Sequence, residues 1–282
     1  MTKAGRATLW IFARQEMVLS VRSRWTQIFA AVFAGLSLAV AGSGYVLSGG
    51  SGMQDFARTS ASLVQLVVLL VPLTALLFGV IAVTPDVGDA ELTFSQPVSR
   101  RTVLAGKLLG VFVALGAAQL VGFGAAGIAL FARAGDEGLM SFLGVVVGSI
   151  ALTGIFLSLA AAIGVGGTSV HRARHLAVAL VVWFASVVLF DVGALGLASL
   201  LPSGLASRAL IVAAILNPVD AVRTGTLLSV EGTTAFGAAS LAFLRFTGGA
   251  IGAGAWLTAS VLLWIVAPLA WAGAKLERAD IG

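Results

Sequence analysis

The chain has no cysteine, which excludes disulfides, thiolate metal sites and thiol catalysis together. Charge is scarce too: 10% of the 282 residues are Asp, Glu, Lys or Arg, while 59% are hydrophobic. A soluble domain carries about 25% charged residues, so this chain lacks the polar surface to close a globule in water. With a mean hydropathy of +1.05, it must be solvated by lipid over much of its length. The phosphate-cradling loop Gly-x-x-x-x-Gly-Lys-Ser/Thr is missing, because Gly106-Lys107 is followed by Leu108 and lacks the first glycine. If ATP drives this chain, the nucleotide is expected on a separate subunit. There is no G-x-S-x-G elbow and no H-E-x-x-H, and the apolar runs hold no paired acids or Ser/His/Lys set. No catalytic residue is assigned, and the chain reads as a non-catalytic subunit.

What is present is a series of apolar runs. A bilayer core needs about 20 such residues per helix, and six runs qualify: roughly 26–47, 61–84, 107–132, 139–165, 176–201 and 249–272. The expected fold is an all-α integral membrane protein of six transmembrane helices, with residues 26–282 as one transmembrane domain behind an N-terminal segment, 1–25. The first run opens near Ile28, behind five basic residues, and outlasts a signal-peptide core, so it is expected to stay as a span. Six spans put both termini on one side. That side holds twelve of the seventeen Lys and Arg, among them Lys3, Arg6, Arg14, Arg22, Arg24, Arg100, Arg101, Lys107, Arg172 and Arg174. The other holds Arg58, Arg133, Arg208, Arg223 and Arg245. Excess positive charge marks the cytoplasm, so both termini are expected inside. The net charge of +5 is thereby explained by orientation, and no nucleic-acid partner is expected.

Ahead of the first span, Trp10, Ala13, Met17 and Val21 recur near helical spacing, with Arg14 and Arg22 on another face. This pattern predicts an amphipathic helix in the inner headgroup layer. Glu16, Arg22 and Arg24 argue against its being buried in hydrocarbon. Between the last two spans, about 202–248, Ala209–Leu216 is apolar but too short to cross. Asn217-Pro218-Val219-Asp220 then reads as a helix start, with Asn217 capping, Pro218 at the first position and Asp220 in the first turn. A partly re-entrant pair of short helices is expected on the outer side. Glycines four apart, Gly106/Gly110, Gly144/Gly148 and Gly248/Gly252, predict close helix packing. Asp191 is the one acidic residue inside an expected span, either a functional polar site or a satisfied interhelical contact. His171 and His175 share a helix face, but two arginines beside them disfavour a metal. Met53 and Met140 do not make a copper path, and no metal site is assigned.

The polar loop at about 85–107 carries the most specific string, Gln96-Pro97-Val98-Ser99-Arg100-Arg101 running to Gly106-Lys107. It resembles the first cytoplasmic loop of ABC-2-type permeases, and Arg22-Ser23-Arg24-Trp25 resembles the end of that family's elbow helix. The resemblance implies that Glu91, Gln96, Pro97, Val98, Ser99, Arg100 and Arg101 form a coupling helix docking on an ATPase subunit. It implies that Trp10, Arg14, Arg22, Arg24 and Trp25 form a membrane-interface elbow. Val71–Leu76, Val182-Trp183, Phe190-Asp191, Asn217–Asp220, Arg223 and Glu231-Gly232 extend the likeness toward permeases serving copper-site maturation of nitrous oxide reductase. The acidic string ahead of the loop, Pro85–Leu92, is sparser than the family usually shows.

For such a subunit the resemblance implies the bacterial inner membrane, a second copy of the chain and two ATPases holding ATP and Mg. It adds a periplasmic β-helical protein contacted through Asn217, Pro218, Asp220 and Arg223, and a copper-carrying lipoprotein. No cofactor is expected on this chain, whose role would be mechanical. The competing readings are an exporter of a lipid-like molecule and an ion-coupled carrier acting alone.

Overall fold

The computed structural model describes residues 3–48, 52–84, 99–134, 139–165, 171–232 and 237–279, and every regular element among them is a helix. In hydrocarbon an unpaired backbone N–H or C=O is costly, so an apolar chain adopts the structure that satisfies these groups within each segment. In chain order the helices are α1 (Lys3–Arg22), α2 (Arg24–Ser48), α3 (Gly52–Val83), α4 (Arg100–Ala134) and α5 (Leu139–Gly164). α6 (Arg172–Phe184) runs through a π-helical turn, Ala185–Leu189, into α7 (Phe190–Ser199). α8 (Ser203–Leu216), α9 (Pro218–Glu231), α10 (Ala238–Thr247) and α11 (Ala250–Ala279) complete the described chain.

Among the described residues, six single helices are long and apolar enough to cross a membrane: Arg24–Gly42, Thr59–Val83, Arg100–Ala132, Leu139–Gly164, Arg172–Ser199 and Ala250–Arg278. They fall on the six expected runs. The third begins already at Arg100, so the expected loop end at Lys107 is corrected. Ser99 starts the helix: its Oγ accepts from the Thr102 amide at 3.3 Å, and its carbonyl from Thr102 and Val103. Glu91, Gln96, Pro97 and Val98 lie outside the described residues.

The core lies where α2, α3, α4 and α5 meet, with Phe33, Leu63, Leu76, Leu115, Phe123 and Phe156 closed off. Phe29, Phe33, Phe123 and Phe142 form a chain of ring contacts from α2 through α4 to α5, 5.1–5.9 Å between centroids. At its heart, fully buried Gln119 of α4 donates to Thr153 Oγ1 at 2.8 Å and accepts from Ser149 Oγ at 2.7 Å, both on α5. These side-chain bonds fix the α4–α5 register where the surroundings are apolar. Pro268 inside α11 cannot donate to the Trp264 carbonyl. Ser158 of α5 donates there instead, at 3.4 Å, and to the Ile265 carbonyl at 2.9 Å. The fifth span is different: Ala179 and Ala198 are its buried residues, whereas about half of the third and of the fourth span is closed off.

The glycine pairs do three different jobs. A Cβ on Gly106 or Gly110 would stand 2.7 Å from Phe12 Cβ or 2.5 Å from the Ala13 carbonyl oxygen, so this pair seats α1. Gly144 and Gly148 face Ser229 and Thr226 of α9. Gly248, at φ +82°, ends α10 in the left-handed region, and Gly252 lies against the Thr247 carbonyl, so the third pair makes a turn and not a packing seam.

Candidate functional site

Two polar regions stand out in the apolar body. The first gathers where α3 ends and α4 begins. Lys107 of α4 donates to the Ala82 carbonyl at 3.1 Å, and Arg172 of α6 donates to the Thr84 carbonyl at 2.7 Å. Both cations thus cap the last turn of α3, where helix carbonyls lack partners and the macrodipole is negative. Arg101 joins the same level to the far end of the chain: its Nε donates to the Gly273 carbonyl at 3.1 Å and its Nη2 pairs with Glu277 at 2.6 Å. The start of α4 is therefore bonded to α3 and α11, and Gly106 and Gly110 press it against α1. Of the residues expected to couple, Ser99 caps α4 and Arg101 is engaged internally. Arg100 is half-buried beside it.

α1 departs from the expected amphipathic face. The glycine track of α4 takes Ala13, which is buried, and half-buried Met17, so these two do not face outward with Trp10 and Val21. The exposed apolar side chains are Trp10, Ile11, Val18, Leu19 and Val21. Arg14, Arg22, Arg24 and Trp25 are exposed as well. Glu16 is drawn into the α1–α4 seam, and burial raises its pKa above the usual carboxylate range, with Lys107 opposing.

The second region is the α8–α9 turn, where the two helices bend by 102°. Asn217 organises it. Its Oδ1 accepts from the Val219 amide at 3.1 Å, while its Nδ2 donates to Asp220 at 2.9 Å and to the Ser186 carbonyl at 2.9 Å. The π-helical turn makes that last bond available, because the Phe190 amide reaches back to the Ala185 carbonyl and leaves Ser186 for a neighbour. The end of α8 is satisfied from α11: Ser260 Oγ donates to the Ile215 carbonyl at 2.6 Å and Trp264 Nε1 to the Leu216 carbonyl at 2.9 Å. Ser186, Ser260 and Trp264 all lie near the middle of their spans. Next to the turn, Arg223 pairs with Asp191 of α7 at 2.8 Å and with Asp220. Asp191 is thus a paired interhelical group.

Asn217, Pro218 and Asp220 are buried. Asn217 and Asp220 bond inward at the bend. Sequence reasoning missed Ser186, Ser260, Trp264, Gly273, Glu277 and Gln119. Serines, tryptophans and a glutamine are common in spans and carry no pattern, and Glu277 reads as an ordinary tail charge. His171 and His175 sit at the start of α6 with ring centroids 6.3 Å apart. No group of three or more His, Cys, Asp or Glu placed to hold a metal occurs among the described residues.

A family model described as ABC-2 family transporter protein matches residues 10–281. Two curated relatives align over nearly their whole length. A probable ABC transporter permease protein NosY of Pseudomonas aeruginosa is 34% identical over 280 residues, covering 97% of this chain and 99% of the relative. The protein of the same description from Stutzerimonas stutzeri is 32% identical over 275 residues, covering 95% of each. Six apolar spanning helices, a polar junction at the start of the third and a match reaching both ends of the bundle converge on one assignment. The chain is a multi-pass membrane protein belonging to the ABC-2 family of transporter permeases.

Proposed function

We propose that this chain is the permease subunit of an ATP-driven transporter of the NosY kind, working as a homodimer in the bacterial inner membrane with both termini cytoplasmic. A separate ATPase, holding ATP and Mg, docks on the segment from Glu91 to Arg101. Its closure drives the work, and this chain binds no cofactor. α1 and the first residues of α2 form the elbow lying in the inner headgroup layer through Trp10, Ile11 and Trp25, with Arg14, Arg22 and Arg24 among lipid phosphates. The α8–α9 pair is a re-entrant hairpin entering from the periplasm. The hydrogen bonds that its turn makes with mid-span Ser186, Ser260 and Trp264 support this depth, because a helix end in hydrocarbon needs such partners.

The observation that carries the reading is the polar junction at the start of α4. A push on the preceding segment meets a body already bonded to α3 and α11 and packed on α1, so it moves helices together instead of bending a loop. The far end of the same body shapes the outer segment of residues 202–248, where a periplasmic β-helical protein would be met. Asn217 and Asp220 would act there by holding the hairpin's shape. By similarity to the NosY permeases, the task is copper-site maturation of nitrous oxide reductase beside a copper-carrying lipoprotein, with ATP hydrolysis changing the shape of the periplasmic partner. The competing reading, an exporter of a lipid-like molecule, is supported by an apolar groove beside α8. Loss of reductase copper on deletion separates the two.

The test is co-expression with the neighbouring genes and purification under gentle extraction, comparing wild type with Arg100→Glu. Arg101 is left intact because it holds α11. An ATPase that co-purifies with wild type and is lost from the variant supports the reading. A chain that purifies without any ATPase overturns it.

A further inference from the structure

The fifth span and α8 leave between them an apolar groove of about 870 Å³. One wall is the later half of the span, with Leu189, Gly193 and Leu197; the other is α8, with Leu205, Val212 and Leu216. Gly193 has no atom within 4 Å of where a Cβ would stand, so the wall is open there. One charged side chain lines the groove, Arg208. It makes no ion pair or hydrogen bond among the described residues, unlike Arg101, Arg172 and Arg223.

Depth and charge together select an occupant. Leu216 closes the groove at the α8–α9 turn, level with mid-span Ser186 and Trp264. Arg208 lies eight residues earlier, about 12 Å along the helix. That approaches the roughly 15 Å from the middle of the hydrocarbon to its edge, half of about 30 Å, and a long guanidinium side chain reaches the headgroups from there. A groove apolar from the bilayer centre upward, ending in one unpartnered cation, matches an acyl chain below a phosphate. A zwitterionic headgroup would bring an ammonium as well, and no carboxylate lines the groove to receive it. Free phosphate would leave the apolar length unfilled.

We propose that this groove binds an anionic glycerophospholipid, with its phosphate at Arg208 and one acyl chain along Leu189, Gly193 and Val212. The leaflet, outer, rests on the topology proposed above; the binding itself does not. Retention on the protein from the membrane would make the lipid a structural partner of α8 and of the thinly packed fifth span.

The test purifies the full chain in neutral detergent, with whatever subunits it retains, and adds phosphatidylglycerol or phosphatidylcholine of equal chain length. Native mass spectrometry reads retention. One arginine near the headgroups is expected to give about fivefold preference for the anionic lipid. Arg208→Gln should abolish that preference while Arg245→Gln keeps it, and Gly193→Leu should reduce retention of both lipids with Arg208 in place. Equal retention of the two lipids by wild type, or a preference surviving Arg208→Gln, overturns the proposal. So does a dimer lost in Gly193→Leu with no lipid on wild type, which would give the groove to a second copy. None of these readouts needs ATP hydrolysis or copper.

Discussion

Arg223 holds two carboxylates, and its removal tests how the α8–α9 turn is held. Breaking a fully buried pair costs about 3–5 kcal/mol. Arg223 and Asp191 keep 24% and 31% of their side chains open, so solvent tempers the loss, and Arg223→Leu should destabilise by about 2 kcal/mol. Asp191→Asn should cost less, because Arg223 retains Asp220. Thermal unfolding in detergent checks the order; equal effects would mean that Asp191 carries the site alone. Glu16 gives a pH prediction. Its folded pKa is raised by burial, with Lys107 opposing, so the folded state holds the proton more tightly than the unfolded one. The seam is then least burdened below the unfolded carboxylate value, and the burden grows as pH rises through the folded pKa. Glu16→Gln should raise the midpoint above wild type at neutral pH and converge with it in acid, as paired melts across pH will show. At this scale the sequence is legible where chemistry is rare. Asp191 stood out as an acid in an apolar run, whereas Gln119 and Ser260 look like ordinary span residues until their partners are placed.

Between elements, one glycine track separates docking from mere composition. A Cβ on Gly110 would meet the α1 backbone at 2.5 Å, while one on Gly124 of the same helix would meet nothing within 4 Å. Gly110→Ala should therefore loosen α1 and expose it to limited proteolysis, while Gly124→Ala should leave the digest unchanged or gain the few tenths of a kcal/mol typical of Gly→Ala in a helix. Matching digests would mean that α1 is held by lipid and not by α4. The tie from Arg101 to Glu277 is half-exposed, so its static worth is about 0–1 kcal/mol; its interest lies in transmission. Arg101→Glu and Glu277→Arg should each lower transporter ATPase activity, and the double exchange should restore much of it. Failure of the exchange to restore activity would confine Arg101 to an ATPase contact. The spacing of four in Gly106/Gly110 and Gly248/Gly252 could not show that one pair packs a helix and the other turns the chain. That difference rests on which neighbour arrives, and no periodicity encodes it.

At the scale of the whole molecule, the six spans were legible because hydrocarbon thickness imposes one length on every crossing helix. The helix pair before the last span was legible from a run too short to cross and an Asn-Pro start. Its depth was not, because depth is set by Ser186, Ser260 and Trp264 from two distant spans. Whether the pair crosses or re-enters decides the topology. If α8 and α9 together crossed the bilayer there would be seven spans, and α11 would end on the side opposite the start of α4; if they re-enter, the two ends share a side, as the Arg101–Glu277 pair has them. The missing cysteines supply the test, since any introduced thiol is the only one in the chain. Ser203→Cys should react with a membrane-impermeant maleimide in intact spheroplasts. Arg278→Cys should react only after permeabilisation, and Leu216→Cys slowly in either case. Because Arg101 pairs with Glu277, the start of α4 and the end of α11 share a side, so labelling of Arg278→Cys from outside would turn the whole bundle over and put that junction in the periplasm. The coupling reading would then fail with it, because a cytoplasmic ATPase cannot push on a junction that faces the periplasm.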